Sequence, residues 1–141
     1  MNQLDLKKIA EDCSKKLLIA EEGIENFTLP FKHIVIDNFF PDSFAKKLFD
    51  NFPKLNSDEW DSTYDKDIEI KHRSNWKSEF DIPDDLLPAI RILNSSIILK
   101  AISKTIRINK LVPDPYFSGG GLNVTVSGGL LDVHVDGNYH D

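Results

Sequence analysis

Hydrophobic positions in the first part of the chain recur at intervals of three and four residues, the spacing of one face of a helix. This spacing, with Gly23 as a stop signal, predicts an amphipathic helix over about residues 4–22, with Leu6, Ile9, Ala10, Cys13, Leu17 and Ala20 on its apolar face. The next apolar run, FKHIVIDNFF (31–40), is rich in β-branched and aromatic residues and predicts a short buried strand. PDSFAKKLFDNFP then opens with Pro-Asp-Ser, a helix start signal. It predicts a second helix, closed by Pro53, with one apolar side formed by Phe44, Leu48, Phe49 and Phe52.

In the middle of the chain, the sequence signals for secondary structure are weak at first and then stronger. Residues 54–80 are polar and acidic and predict a loop with some strand, for which DIEIK (67–71) is the best candidate. IPDDLLPAIRILN predicts a third helix that tolerates Pro88 in its first turn. Ser95 or Ser96 predicts the N-cap of a fourth helix, which runs to about Ser103.

After Pro113 the hydrophobic period changes from helical to two. LNVTV (122–126) and LLDVHVD (130–136) alternate apolar and polar residues, and Ser127-Gly128-Gly129 between them supplies a turn. Neither a repeat nor a flexible linker is visible. The pattern therefore predicts an α+β protein with a single domain over residues 1–141. Helices and a strand occupy about residues 1–112, and the β portion starts at about residue 113.

Composition narrows the classes of function. The chain has 141 residues and a formal net charge of -6, and its lysines and arginines are scattered, which argues against a general nucleic-acid or membrane surface. Cys13 is the single cysteine, so an intrachain disulfide and a Cys-rich zinc site are both excluded, and we expect a small buried hydrophobe. No secretory signal and no apolar run of membrane-spanning length is present, so a cytoplasmic location is expected.

His134 and Asp136 are the candidate chemistry of the β portion. Residues i and i+2 of a strand point to one face about 6–7 Å apart, so both side chains can converge on one ion. One imidazole and one carboxylate suit non-haem Fe(II), Mn or Zn. A bare His-x-Asp pair is a weak motif, and a solvated polar strand face explains it equally well.

A longer stretch raises the specificity of this pair. LVPDPYFSGGGLNVTVSGGLLDVHVDGNYHD resembles the metal-binding core of the Fe(II)/2-oxoglutarate-dependent dioxygenases, in particular the prolyl-4-hydroxylase-like branch. A GG-x-L-x-x-H-x-D stretch carries the first two metal ligands in that family. FKHIVIDNFFPDSFAKKLFDNFP is similar to the strand and helix that open those proteins, and LLPAIRILNSSIILKAISKTIRI to the helices before the core. The resemblance spans about residues 29–141.

The resemblance implies a fold, a reaction and a site. The fold is a double-stranded β-helix, or jelly roll, with the N-terminal helices packed outside it, and it is incomplete in this chain. His134 would be the first Fe(II) ligand and Asp136 the carboxylate ligand, while Tyr116 and Asn123 would stand in the wall of the cosubstrate pocket. The reaction is the decarboxylation of 2-oxoglutarate to succinate with O₂, coupled to hydroxylation of a prolyl or related C–H bond. Fe(II), 2-oxoglutarate and, as an accessory reductant, ascorbate are the expected cofactors, and the substrate stays open.

Two features of the family pattern are not found among residues 137–141. The family places a second histidine ligand, and then an Arg or Lys that binds 2-oxoglutarate, several dozen residues after His-x-Asp. We therefore expect this chain to be the N-terminal part of a longer protein. His140 could supply a third ligand by folding back after Gly137-Asn138, as in a cupin-like zinc or manganese protein. A third alternative is a catalytically incomplete jelly-roll module that binds a partner or forms homo-oligomers through unpaired strand edges.

Overall fold

A computed structural model describes residues 2–21, 33–58, 60–65, 69–117 and 120–133. Within these residues the chain forms four α-helices and a small antiparallel sheet, which confirms the predicted α+β class. The chain divides into two compact units. The helical unit comprises Met1–Phe52 and Ile82–Pro113, and the sheet unit comprises Pro53–Asp81 and Asp114–Asp141. The single domain expected from the sequence stays a prediction.

The helical unit contains α1 (Gln3–Glu21), α2 (Asp42–Asp50), α3 (Leu87–Leu93) and α4 (Ser96–Ile106). Their start signals act as expected: Pro88 lies in the first turn of α3, and the Ser95 hydroxyl caps α4 by accepting a hydrogen bond from the Ile98 N–H at 3.3 Å. The predicted helices at about 4–22 and 96–103 are thus confirmed, the second extending three residues further. No helix in the described part of the chain has the length and apolarity needed to span a membrane.

The core of the helical unit forms where α1 packs against α3 and α4. Apolar side chains fill it, and it draws members from all four helices: Ala10, Cys13, Leu17, Phe44, Ala89, Ile92, Ile98 and Ala101. Thr105 is fully buried in this core, and its hydroxyl donates a hydrogen bond to the Leu17 carbonyl at 3.1 Å. Because that bond satisfies a buried hydroxyl, it fixes α4 against α1 at a specific register.

The strand predicted at residues 31–40 is wrong over its described part, 33–40. These residues form an extended segment with a turn at 37–38, where Asn38 has a φ of 53°, and Val35 is exposed. Side chains of α1 hold the segment in place of a neighbouring strand. Lys16 Nζ donates to the carbonyls of Asn38 and Phe39, and Cys13 Sγ contacts the Phe39 carbonyl at 3.2 Å. The apolar residues of the run still pack against the core, but as individual side chains and not as one face of a strand.

The apolar side predicted for the second helix is only partly correct. Phe44 is buried and Leu48 packs against the core, whereas Phe49 is 79 % exposed. An α-helix turns by about 100° per residue, so Phe49 lies about 140° around the helix from Phe44. Phe52 lies beyond the end of α2 and is 39 % exposed.

The sheet unit contains β1 (Trp60–Asp65), β2 (Glu69–Ser74), β3 (Asn123–Val124) and β4 (Leu130–Leu131), with a 3-10 turn at Glu79–Asp81. β1 and β2 form an antiparallel pair in which Trp60 lies opposite Ser74 and Asp65 opposite Glu69. β2 overlaps the strand predicted at 67–71. β1 has the sequence WDSTYD, which lacks the apolar alternation that would have indicated it.

Candidate functional site

β3 and β4 are two pieces of one interrupted strand. Both pair antiparallel with β2, His72 opposite Val124 and Ile70 opposite Leu130. Between these two pairs, five residues (125–129) stand opposite the single residue Lys71. The pairing therefore continues past a five-residue bulge, and a bulge bends a strand and re-aims the side chains that follow it.

The bulge closes with a glycine turn, as the sequence predicts. The Gly129 N–H donates to the Val126 carbonyl at 2.7 Å, and Gly128 has a φ of +84°. Gly129 also meets a steric demand, because a Cβ there would lie 2.8 Å from the Val126 carbonyl oxygen and 2.9 Å from that of Ile70. Only glycine allows the backbone to approach β2 this closely.

The predicted strands are longer than those observed. β3 covers two residues of 122–126, and β4 ends at Leu131, so the described residues Asp132 and Val133 lie outside the strand. Their alternation does not produce a buried face: Leu131 is 57 % and Val133 99 % exposed.

The expected metal ligands His134 and Asp136, and the alternative ligand His140, lie outside the described residues. In the sequence, His134 is the third residue after the end of β4. Among the residues that are described, no group of three or more His, Cys, Asp or Glu side chains could hold a metal ion. The metal assignment therefore stays a prediction that rests on residues 134–141.

Tyr116 and Asn123, the expected wall of the cosubstrate pocket, are both exposed. Tyr116 is 74 % exposed, and its N–H donates to the Asp114 carboxylate at 2.9 Å in a tight turn. Asn123 lies in β3 opposite Arg73 of β2. Within the described residues no hydrogen bond joins the two side chains, so their role in binding stays a prediction.

The approach to β3 is anchored firmly to β2. The Ser74 N–H donates to the Leu122 carbonyl at 3.0 Å, and the Leu122 N–H donates to the Ser74 hydroxyl at 2.9 Å. Ser74 is buried, and beside it the ring of Trp76, also buried, meets Phe117 edge to face at 6.5 Å between centroids. These contacts fix the position at which the backbone just before β3 joins the sheet.

Among the residues that the structure describes, Asp81 and Cys13 have shifted pKa values. The N–H groups of Lys77 and Ser78 donate to the Asp81 carboxylate, each at 2.9 Å, and lower its pKa. Burial raises the pKa of the Cys13 thiol and keeps it protonated, and its place in the core confirms the small buried hydrophobe expected from the sequence. Neither group stands near the expected metal ligands in the sequence, and both shifts have local structural causes.

A groove on the helical unit was not predicted from the sequence. It has a volume of about 720 Å³ and runs between α4 and the segment that follows it, up to Pro113. Three lysines line it: Lys100, Lys104 and Lys110. The missed signal is local charge, because the 28 residues from Leu86 to Pro113 contain five Lys or Arg and no Asp or Glu, while the whole chain has a net charge of -6.

Comparisons with known proteins identify no relative: no protein-family model, no curated protein and no solved structure matches this chain.

Proposed function

We propose that this protein is an Fe(II)/2-oxoglutarate-dependent dioxygenase of the prolyl-4-hydroxylase-like kind, with a jelly-roll core. The observation that carries the proposal is the place of the His-x-Asp pair in the sequence: it begins three residues after the end of β4, a strand paired antiparallel in a sheet. The resemblance of residues 29–141 to that family, of which this pair is a part, adds two upstream segments in its support. The glycine turn before the pair is a structural requirement of this chain, which agrees with the GG of the family stretch.

The side chains of His134 and Asp136 are of the types that bind Fe(II). An imidazole and a carboxylate are two of the three ligands of the facial triad that non-haem Fe(II) oxygenases use. His134 and Asp136 would hold the ion, and bound Fe(II) would activate O₂, the oxidant that decarboxylates 2-oxoglutarate and hydroxylates a substrate C–H bond. The third ligand is not assigned.

The described residues would act as the support of this site. Gly129 lets β4 approach Ile70, and the Ser74–Leu122 hydrogen bonds hold the other end of the interrupted strand. Residues at both ends of the bulge are thereby tied to the same strand, β2. The backbone that leads into the ligand pair would then start from a strand whose position is fixed, as a preorganised metal site requires.

The metal assignment is tested by anaerobic calorimetric titration of Fe(II). The protein is expressed from its complete reading frame, whether or not that frame continues past Asp141. His134→Ala and Asp136→Asn should each weaken Fe(II) binding by at least about 100-fold, since even outer-shell partners of metal ligands contribute about 10–100-fold. Asp132→Asn is the matched control: it changes a nearby exposed carboxylate whose Oδ1 accepts the Val133 N–H, and it should leave the affinity within about twofold. Equal effects of Asp132→Asn and Asp136→Asn would refute the assignment.

The polypeptide of residues 1–141 provides a second, more stringent test of the metal assignment. With two assigned ligands it should bind Fe(II) and 2-oxoglutarate no more tightly than about millimolar, because an incomplete ligand set forfeits most of the chelate affinity. Micromolar binding that is abolished by His134→Ala would contradict this and make His140 the third ligand.

A second candidate function is a non-catalytic module that self-associates. Among the described residues, neither β1 nor the interrupted strand β3–β4 pairs with a further strand on its outer edge. Open edges of this kind pair readily with another chain. Sedimentation of residues 1–141 should then show concentration-dependent dimers that Leu131→Lys, on the exposed part of β4, reduces; a monomer over the whole concentration range would eliminate this candidate.

A further inference from the structure

The groove on the helical unit combines positive charge with an apolar floor. Lys100 and Lys104 come from α4, one helical turn apart, and Lys110 comes from the segment opposite. Leu99 and Leu111, both half-buried, line the groove beside them. No Asp or Glu is among the lining residues, all of which belong to the described part of the chain. A ligand in this groove would meet three ammonium groups around an apolar surface.

Neutral donors complement these charges. The amides of Asn94 and Asn109 and the hydroxyls of Ser96 and Ser103 also line the groove. Lysine acts as a point charge toward phosphate, and amide and hydroxyl groups can donate to its remaining oxygens. The volume of about 720 Å³ falls in the range of about 300–1,000 Å³ typical of small-molecule sites.

The wall opposite α4 is held in a defined conformation. α4 ends in a Schellman motif, in which Arg107 is left-handed (φ 58°) and the Ile108 N–H donates to the Ser103 carbonyl at 3.1 Å. Lys110 itself has a φ of 59°, which is uncommon for a residue other than glycine, asparagine or aspartate. Strained backbone of this kind concentrates at ligand sites. The groove is therefore bounded by a fixed turn on one side and a capped helix on the other.

The charge distribution along the chain points the same way. The chain is acidic overall, yet the segment from Leu86 to Pro113 carries five positive side chains and no negative one. A local positive field in an acidic protein attracts small anions selectively, and a phosphate dianion gains more from it than a carboxylate.

From these observations we propose that the groove between α4 and residues 109–113 binds a small organic phosphate, a phosphate group attached to an apolar body. The lysines hold the phosphate, and the leucines and Pro113 contact the apolar body. This site is separate from the proposed iron site in residues and in chemistry, and it does not depend on the proposed dioxygenase function.

Calorimetry with three probes tests the proposal: hexyl phosphate, inorganic phosphate and hexanoate. Hexyl phosphate should bind with a dissociation constant of about 0.1–1 mM, at least about fivefold tighter than either other probe, because it alone satisfies both the charged and the apolar part of the groove. Higher salt should weaken the binding, since the lysines are exposed. The His134→Ala variant should bind hexyl phosphate normally, which separates this outcome from that of the iron titration.

Two triple variants with the same change of net charge decide the location. Lys100→Gln/Lys104→Gln/Lys110→Gln should weaken hexyl phosphate binding at least about tenfold, because each exposed charge pair contributes a factor of about two to five. The control, Lys7→Gln/Lys15→Gln/Lys46→Gln, removes three exposed lysines of the same unit that are paired with acidic side chains, and should change the affinity less than about twofold. Circular dichroism checks that both variants keep the helical content of the wild type.

Three results would overturn the proposal. The first is the absence of saturable hexyl phosphate binding at concentrations up to about 5 mM. This concentration is well above the dissociation constant that three charges and an apolar contact should give. The second is an equal loss in both triple variants, which would indicate a general effect of net charge. The third is tighter binding of hexanoate than of hexyl phosphate, which would exclude a phosphate site.

Discussion

Gly129→Ala is the substitution that most directly probes how β4 is placed. A Cβ at this position would lie 2.6 Å from Thr125 Cγ2, 2.8 Å from the Val126 carbonyl oxygen and 2.9 Å from the Ile70 carbonyl oxygen. The methyl group of Thr125 can rotate away, but the two carbonyls belong to the turn and to β2 and cannot move without breaking the pairing. Overpacking of this kind costs about 1–3 kcal/mol. The strain should separate β4 from Ile70.

Gly128→Ala is the matched control, one residue away in the same turn. Its Cβ would meet no atom within 4 Å, so its cost arises only from the φ of +84°, about 1 kcal/mol. Both tryptophans, Trp60 and Trp76, belong to the sheet unit, so tryptophan fluorescence during urea unfolding reports on that unit alone.

We expect the unfolding midpoint to fall for both variants. The midpoint of Gly129→Ala should be lower than that of Gly128→Ala by up to about 2 M urea, given a difference in cost of up to about 2 kcal/mol and typical slopes of about 1–3 kcal/mol/M. Hydrogen exchange should accelerate at the amides of the β2–β4 pair in Gly129→Ala and stay slow in Gly128→Ala. Equal midpoints together with unchanged exchange in Gly129→Ala would refute the close approach of β4 to Ile70.

Three further predictions concern the helices and the 3-10 turn. Ile98→Ala, at a fully buried core position, should destabilise the helical unit by about 2–5 kcal/mol in circular-dichroism unfolding, whereas Leu4→Ala, at an exposed position, should cost less than about 1 kcal/mol. Arg107→Gly should raise the stability by about 0.5–1 kcal/mol because it relieves the left-handed strain after α4; a loss of stability would contradict the helix-cap assignment. Asp81 has a folded-state pKa below its ordinary value of 3.8, so its stabilisation is present above that pH and is lost as the pH falls through the lowered pKa. Asp81→Asn should therefore lower the unfolding midpoint at pH 7 and lower it by less as the pH falls below 3.8, and a difference that stays constant as the pH falls would refute the hydrogen-bonded carboxylate.

The sequence predicted elements best where periodicity and end signals agreed. α1, α3 and α4 each combine helical spacing with an end signal (a stop glycine, a first-turn proline and a capping serine, respectively), and each was found where expected. The segment 33–40 was mispredicted because β-branched and aromatic residues favour extended backbone but do not specify a strand partner. Here α1 supplies the hydrogen bonds, a long-range contact that local sequence does not encode.

The sheet and the candidate site also depend on long-range contacts that local sequence does not encode. WDSTYD forms β1 because β2 pairs with it, so tertiary context overrides a sequence with little strand signal. The glycine turn was predicted from its residues, but the pairing of both flanking pieces with β2 was not, since register depends on a strand about fifty residues earlier. The lysine groove escaped prediction because its charges are spaced along a helix and a turn, and only the fold brings them together.

The most direct test of the proposed function is the binding of 2-oxoglutarate with and without Fe(II), under anaerobic conditions, in protein from the complete reading frame. We predict that 2-oxoglutarate binds at least about tenfold more tightly when Fe(II) is present, because the ion offers open coordination positions to the cosubstrate. This gain should vanish in His134→Ala and persist in Asp132→Asn. Binding of 2-oxoglutarate that is independent of Fe(II), or a gain that survives the loss of His134, would contradict the proposal that this histidine holds the iron of a dioxygenase.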